Sequence, residues 1–60
     1  MSDNAEKVLK QMYDEYIRTN DSDWQSINTL AGNQLESLGF VTSNILGEFK
    51  LTEAGIAYFQ

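Results

Sequence analysis

Leu35-Glu36-Ser37-Leu38-Gly39-Phe40-Val41, followed after a short gap by Phe49-Lys50-Leu51-Thr52-Glu53-Ala54-Gly55, decides how this chain reads. The apolar end of a helix runs into Gly39, the residue type that takes the left-handed position closing a helix. Phe40 to Ser43 and Glu48 to Leu51 then read as two short strands around the turn Asn44-Ile45-Leu46-Gly47. Alternation along the second strand points Phe49 and Leu51 inward and Glu48 and Lys50 outward. Thr52 is placed to cap a closing helix through Ala54, Ile56, Ala57 and Phe59. Helix, hairpin and capped helix in that order predict one small α+β domain over residues 1–60.

Upstream, Ser22 with Gln25 three residues on fits the reciprocal capping pattern of a helix start. Trp24, Ile27, Ala31, Leu35 and Leu38 fall on one narrow helical face, with Leu30 at its edge. That stripe runs through Gly32 and predicts one helix from Ser22 to Leu38, at a glycine cost of about 1 kcal/mol. Read as a break, Gly32-Asn33 instead gives two short helices, the second capped by Asn33 with Glu36. The first helix is plainer. Asp3 or Asn4 caps it, Asp3 and Glu6 have capping-box spacing, and Thr19-Asn20-Asp21 ends it. Ala5, Val8, Leu9, Met12, Tyr13, Tyr16 and Ile17 step in threes and fours along an arc about half the circumference wide. Lys10–Asp14 and Asp14–Arg18 are i,i+4 pairs on the opposite face.

Four basic residues stand against nine acidic ones, a formal charge of −5. Such a chain repels phosphate backbones at long range and favours basic partners. It contains no cysteine and no histidine. Disulfides and thiolate metal sites are therefore excluded, and the commonest general base and metal ligand are missing. There is no glycine-rich phosphate loop, and sixty residues leave little room for a ligand cavity. An enzyme is not expected, nor a cofactor, a metal site or a small-molecule substrate. The hydrophobic share of 42% is that of a globular chain. The start Met1-Ser2-Asp3-Asn4 has neither the basic nor the apolar region of a secretory signal. No apolar run approaches the roughly 18 residues that span a bilayer. A cytoplasmic protein with no membrane partner is the expectation.

From Ile27 to Phe59 the chain resembles the second half of MarR-type and PadR-type winged-helix transcriptional regulators. Those families end a recognition helix in Leu-Glu-x-x-Gly-aliphatic, add a β-wing, and begin the next helix with Leu-Thr-x-x-Gly. Leu35, Glu36, Leu38, Gly39 and Val41 match the first motif; Leu51, Thr52, Glu53 and Gly55 match the second. The resemblance implies a winged-helix fold of two or three helices, a hairpin wing and a short C-terminal helix. It also implies transcription regulation through a helix-turn-helix. Three departures bear on that role. A single helix over Ser22–Leu38 leaves only Thr19-Asn20-Asp21 where the family places a separate helix. The recognition-type helix carries no Lys or Arg, although phosphate contacts supply most non-specific affinity for DNA. The tip has no cation, and Lys50 is the one basic residue near it.

The candidate surfaces follow. Asn44, Ile45 and Leu46 at the wing tip either form an exposed apolar contact for a partner or fold back onto the first helix. Gln25, Asn28, Thr29 and Asn33 make a polar helix face for a partner or, through Asn and Gln, for adenine edges. The acidic patch of Asp14, Asp21 and Asp23, with Glu15, is a solvated face or a mimic of nucleic-acid phosphates. Asp21-Ser22-Asp23 begins like a calcium loop but lacks its glycine and bidentate glutamate. Trp24 is expected to anchor the core with tyrosines at its edge; the alternative joins it to Tyr13, Tyr16 and Tyr58 as a recognition surface. The arc on the first helix is broader than one small core needs, and it is either packed within the domain or the interface of a homodimer. The expected function is a small non-enzymatic regulator or inhibitor acting through protein–protein contact. The alternatives are a DNA-binding regulator working as a dimer and an acidic DNA-mimic inhibitor. Chains of this kind suit accessory proteins of bacteria or their viruses.

Overall fold

Helix α1 (Asp3–Thr19), helix α2 (Thr29–Ser37), strand β1 (Val41–Ser43), strand β2 (Phe49–Leu51) and helix α3 (Glu53–Ala57) follow one another in a computed structural model that describes residues 1–60. The strands pair antiparallel, with Val41 opposite Leu51, Thr42 opposite Lys50 and Ser43 opposite Phe49. Three helices and one hairpin give the α+β, winged-helix-like layout expected. No helix is long and apolar enough to cross a membrane.

Ser2, rather than Asp3 or Asn4, caps α1: its Oγ accepts from Ala5 N at 3.1 Å. A capping box returns the favour with a Glu or Gln three residues on, but Ala5 cannot. The Ser2 N–H instead donates to Gln34 Oε1 of α2 at 2.8 Å. The reciprocal partner is tertiary, which local spacing could not reveal. Ala5, Leu9 and Met12 are buried along the inner face, and Asn20, left-handed at φ 55°, ends the helix. Phe59 packs on Tyr13 with ring centroids 5.0 Å apart, so the segment after α3 covers part of the wide arc. Ile17 on the same arc stays 58% exposed.

The two sequence motifs meet in space. At the end of α2, Gly39 N donates to Glu36 O and Phe40 N to Leu35 O, the paired closure in which the left-handed residue is Gly39 at φ +84°. Thr52 Oγ1 then donates to Gly39 O at 2.6 Å and accepts from Gly55 N at 3.2 Å. Gly55 lies so close that a Cβ there would stand 2.2 Å from Phe40 O. One motif thus turns the chain into the wing, and the other clamps that turn while starting α3.

The segment between α1 and α2 corrects both helix readings. Residues 20–28 carry no helix; they run as a strap along β2. Gln25 N donates to Phe49 O at 2.8 Å and Phe49 N to Gln25 O at 2.9 Å, an antiparallel bridge. Ser22, expected to cap a helix, donates its Oγ to Leu51 O at 3.3 Å. A helix here would leave the Phe49 N–H and C=O without these partners, and buried backbone groups are rarely left unpaired. Helix α2 begins only at Thr29, capped by Asn28, whose Oδ1 accepts from Ala31 N at 3.1 Å. Gly32 neither breaks α2 nor parts two helices. A Cβ on it would lie 2.4 Å from the Phe49 ring, so the glycine lets β2 approach the helix.

The core is Ala5, Leu9, Met12, Leu35, Val41, Phe49 and Leu51, with Val8, Tyr16, Ile27, Phe40, Ile56 and Phe59 packed around it. Trp24 is not among them. It follows the alternation of an extended strap: Gln25 pairs with Phe49, and its neighbour turns to the solvent face of the sheet.

Candidate functional site

The wing tip is braced from within and exposed without. Asn44 Oδ1 accepts from Leu46 N and Glu48 N, each at 3.0 Å, and Asn44 Nδ2 donates to Glu48 Oε1 at 3.0 Å. Backbone bonds from Asn44 N to Glu48 O and from Gly47 N to Asn44 O close the turn. Asn44 is thus the organiser of the tip. Ile45 is fully exposed and Leu46 is 77% exposed. The tip does not fold back onto α1. At the wing's base Ser43 Oγ donates to Glu36 Oε2 at 2.7 Å, tying the hairpin to α2.

The polar face drawn from Gln25, Asn28, Thr29 and Asn33 does not stay together. Gln25 sits half-buried in the bridge to Phe49. Asn28 caps α2, leaving Thr29 and Asn33 one turn apart on the exposed side of the helix. Between them stands Leu30, 81% exposed, and two turns on is Leu38, 48% exposed. The stripe drawn from Trp24 to Leu38 hid both residues. With α2 starting at Thr29, Ala31 and Leu35 alone point inward, and Leu30 and Leu38 flank them in solvent.

The acidic patch also divides. Lys10 pairs with Asp14 and Arg18 with Glu15, so Arg18 takes the i,i+3 partner rather than Asp14. Glu15, by hydrogen bond first and charge second, raises the Arg18 guanidinium above its ordinary pKa. Asp21 and Asp23 instead join Glu15, Thr19, Trp24 and Gln25 around a surface cleft of about 320 Å³. No group of three or more carboxylates in the chain is placed to hold a metal ion. Asp23 Oδ1 accepts from Trp24 N at 2.7 Å. Trp24 is 37% exposed, and Lys50 Nζ lies 5.3 Å from the centre of its ring. The expected core anchor is therefore a partly exposed wall of a polar cleft.

Tyr13, Tyr16 and Tyr58 do come together, but with Phe40 and Phe59 rather than Trp24. Ring centroids run Phe40–Tyr58 5.1 Å, Tyr58–Phe59 4.9 Å, Tyr13–Phe59 5.0 Å and Tyr13–Tyr16 6.2 Å. Tyr58 Oη donates to Glu6 Oε2 at 2.9 Å, and this hydrogen bond raises the phenol above its ordinary pKa. The string seals α3 against α1.

Fold and surface together define a small α+β domain of winged-helix-like layout, with one helix between strap and hairpin and an apolar wing tip. No family model matches the chain, and neither a curated protein nor a solved structure matches it.

Proposed function

We propose that this chain is a small non-enzymatic regulator or inhibitor that acts through protein–protein contact on a winged-helix scaffold. One observation carries the reading: Ile45, fully exposed, and Leu46, 77% exposed, project from a turn that Asn44 braces with three side-chain hydrogen bonds. What favours a contact surface here is that two large aliphatic side chains stand side by side on an ordered turn, since burying each of them gains about 1.5–3 kcal/mol. The order of helix, wing and Thr-capped helix, in the manner of MarR-type and PadR-type regulators, supports a regulatory role. The charge argues against DNA as the partner. α2 holds no cation, and Glu36 lies on the helix beside the wing.

Two measurements test this. In a salt titration of duplex DNA binding, the expected result at about 50 mM salt is no association; binding that falls steeply with added salt overturns the reading in favour of a DNA-binding dimer. In a pull-down, the double variant Ile45→Asp, Leu46→Asp is expected to lose partners that the wild type retains. Retention of the same partners overturns the role given to the tip.

A further inference from the structure

The apolar tip carries an acidic rim of its own. Glu36 Oε2 accepts from Ser43 Oγ at 2.7 Å, and Glu48 Oε1 accepts from Asn44 Nδ2 at 3.0 Å. Two carboxylates are thereby tied to the two residues that lead into Ile45 and Leu46. The second oxygen of each takes no hydrogen bond within the chain, and neither carboxylate has an ion pair. The cations lie elsewhere. Lys7, Lys10 and Arg18 belong to α1, where Lys10 pairs with Asp14 and Arg18 with Glu15. Lys50 stands over Trp24, its Nζ 5.3 Å from the ring centre. Between Arg18 and Lys50 the chain holds Asp21, Asp23, Glu36 and Glu48 and no basic residue. The wing thus joins exposed aliphatic carbon to negative charge that no cation of the chain pairs with.

Each half of this surface narrows what can cover it. Burying Ile45 and Leu46 calls for an apolar pocket. A partner that closes over the tip also brings its rim against Glu36 and Glu48. An acidic rim is repelled there, and an apolar one strips water from the carboxylates without replacing it. A rim of Lys or Arg gives the two unbonded oxygens charge-assisted donors. The same carboxylates disfavour anionic lipid and phosphate backbones.

We propose that the wing tip docks into an apolar pocket of a partner protein whose rim carries Lys or Arg. Ile45 and Leu46 are the inserted side chains, and Glu36 and Glu48 are the counter-charges. This rests on reading the tip as the contact surface and adds the chemistry of what meets it.

The test selects binders of the immobilised full chain from a library of random cyclic peptides and measures them by surface plasmon resonance. Selected peptides are expected to be enriched in Lys and Arg as well as in apolar residues, and to bind less tightly at about 500 than at about 50 mM salt. Ile45→Asp with Leu46→Asp is expected to abolish binding although it adds negative charge, which separates insertion from general attraction. Glu36→Gln with Glu48→Gln keeps an acceptor for Ser43 and for Asn44 and removes only the charge. It is expected to bind about tenfold more weakly, through a slower on-rate and with a flatter salt dependence. Circular dichroism and exchange at the Leu46 amide should stay unchanged. Asp21→Asn with Glu53→Gln removes the same charge outside the wing and is expected to stay within about twofold of wild type. Peptides without this enrichment, or equal binding to the Glu36 and Glu48 double variant, overturn the cationic rim. If the tip double variant still abolishes binding in that case, the protein-contact reading stands. Failure to select any peptide that prefers the wild type to the tip double variant overturns the proposal. So does wild-type association with phosphatidylcholine vesicles that the tip double variant lacks, which would make the tip a lipid anchor.

Discussion

The wing tip and the strap both leave large apolar side chains outside the core, Ile45 and Leu46 almost bare and Trp24 partly covered, by different means. At the tip, Asn44 binds groups two and four residues away, so residues 44–48 organise themselves. The strap has only the Trp24 N bond to Asp23 Oδ1 and the Thr19 Oγ1 bond to Asp21 O as local ties. It is held by Gln25 on Phe49 and by Ser22 on Leu51, partners far along the chain. The tip is therefore a self-contained display of Ile45 and Leu46, whereas the position of Trp24 depends on β2 being in place. A contact surface that must be presented before its partner arrives fits the first arrangement better, because its order is established in advance.

The sharpest way to break this contrast is Phe49→Ala. Phe49 is 3% exposed, its backbone holds the strap and its ring lies against Gly32. Removing it is expected to cost about 3–5 kcal/mol, and a domain of this size has little stability to spare. Urea denaturation followed by Trp24 fluorescence measures it; a loss below about 1 kcal/mol contradicts the packing described.

Gly32→Ala is expected to cost less. Its added methyl, 2.4 Å from the Phe49 ring, overpacks the core by about 1–3 kcal/mol, against about 1 kcal/mol gained in helix propensity. Hydrogen exchange should quicken at Gln25 before the amides of the tip respond. Equal acceleration in both regions would erase the distinction between them.

Asn44→Ala reverses the pattern. Loss of three side-chain hydrogen bonds at a half-buried turn is expected to cost about 1–2 kcal/mol. Exchange at Leu46 and Glu48 should accelerate while the Gln25 amide stays protected. If the strap loosens too, the tip is not self-contained.

Tyr58→Phe has the smallest effect and touches neither region. Glu6 raises the folded-state pKa of Tyr58, so the contact stabilises the fold fully below the ordinary phenol value of about 10. That contribution is lost as pH rises through the raised folded value. The melting temperatures of wild type and variant should differ at pH 7, and the difference should shrink as pH rises through the range in which Tyr58 ionises. A difference that grows with pH would contradict the Tyr58–Glu6 contact.

What could be seen in the sequence follows the range of the forces involved. Gly39, Thr52, the inward Phe49 and Leu51, and the apolar face of α1 were legible because capping and alternation act within four residues. Exposure of Ile45 and Leu46 was legible as one of two outcomes, since so small a domain offers little to cover a tip. Trp24 was not. Its helical spacing from Ile27, Ala31 and Leu35 is real, but extended geometry supplies the pairing that Phe49 requires. Gly32 looked like a local question of helix continuity and was settled by a ring from β2.

By itself, then, the sequence determined the α+β order, the wing, the capped closing helix and a surface poor in cations. Each of these depends on side chains and backbone groups that are neighbours along the chain. Only the tertiary structure decided that residues 20–28 form a strap, that Gln25 leaves the helix face and that Trp24 stands partly exposed outside the core. It also decided that Leu30 and Leu38 are uncovered. For the strap, Gln25 and Trp24 the physical reason is the same: the backbone of β2 needed partners on the side away from β1, and meeting that need outweighed the helical pattern written into the strap.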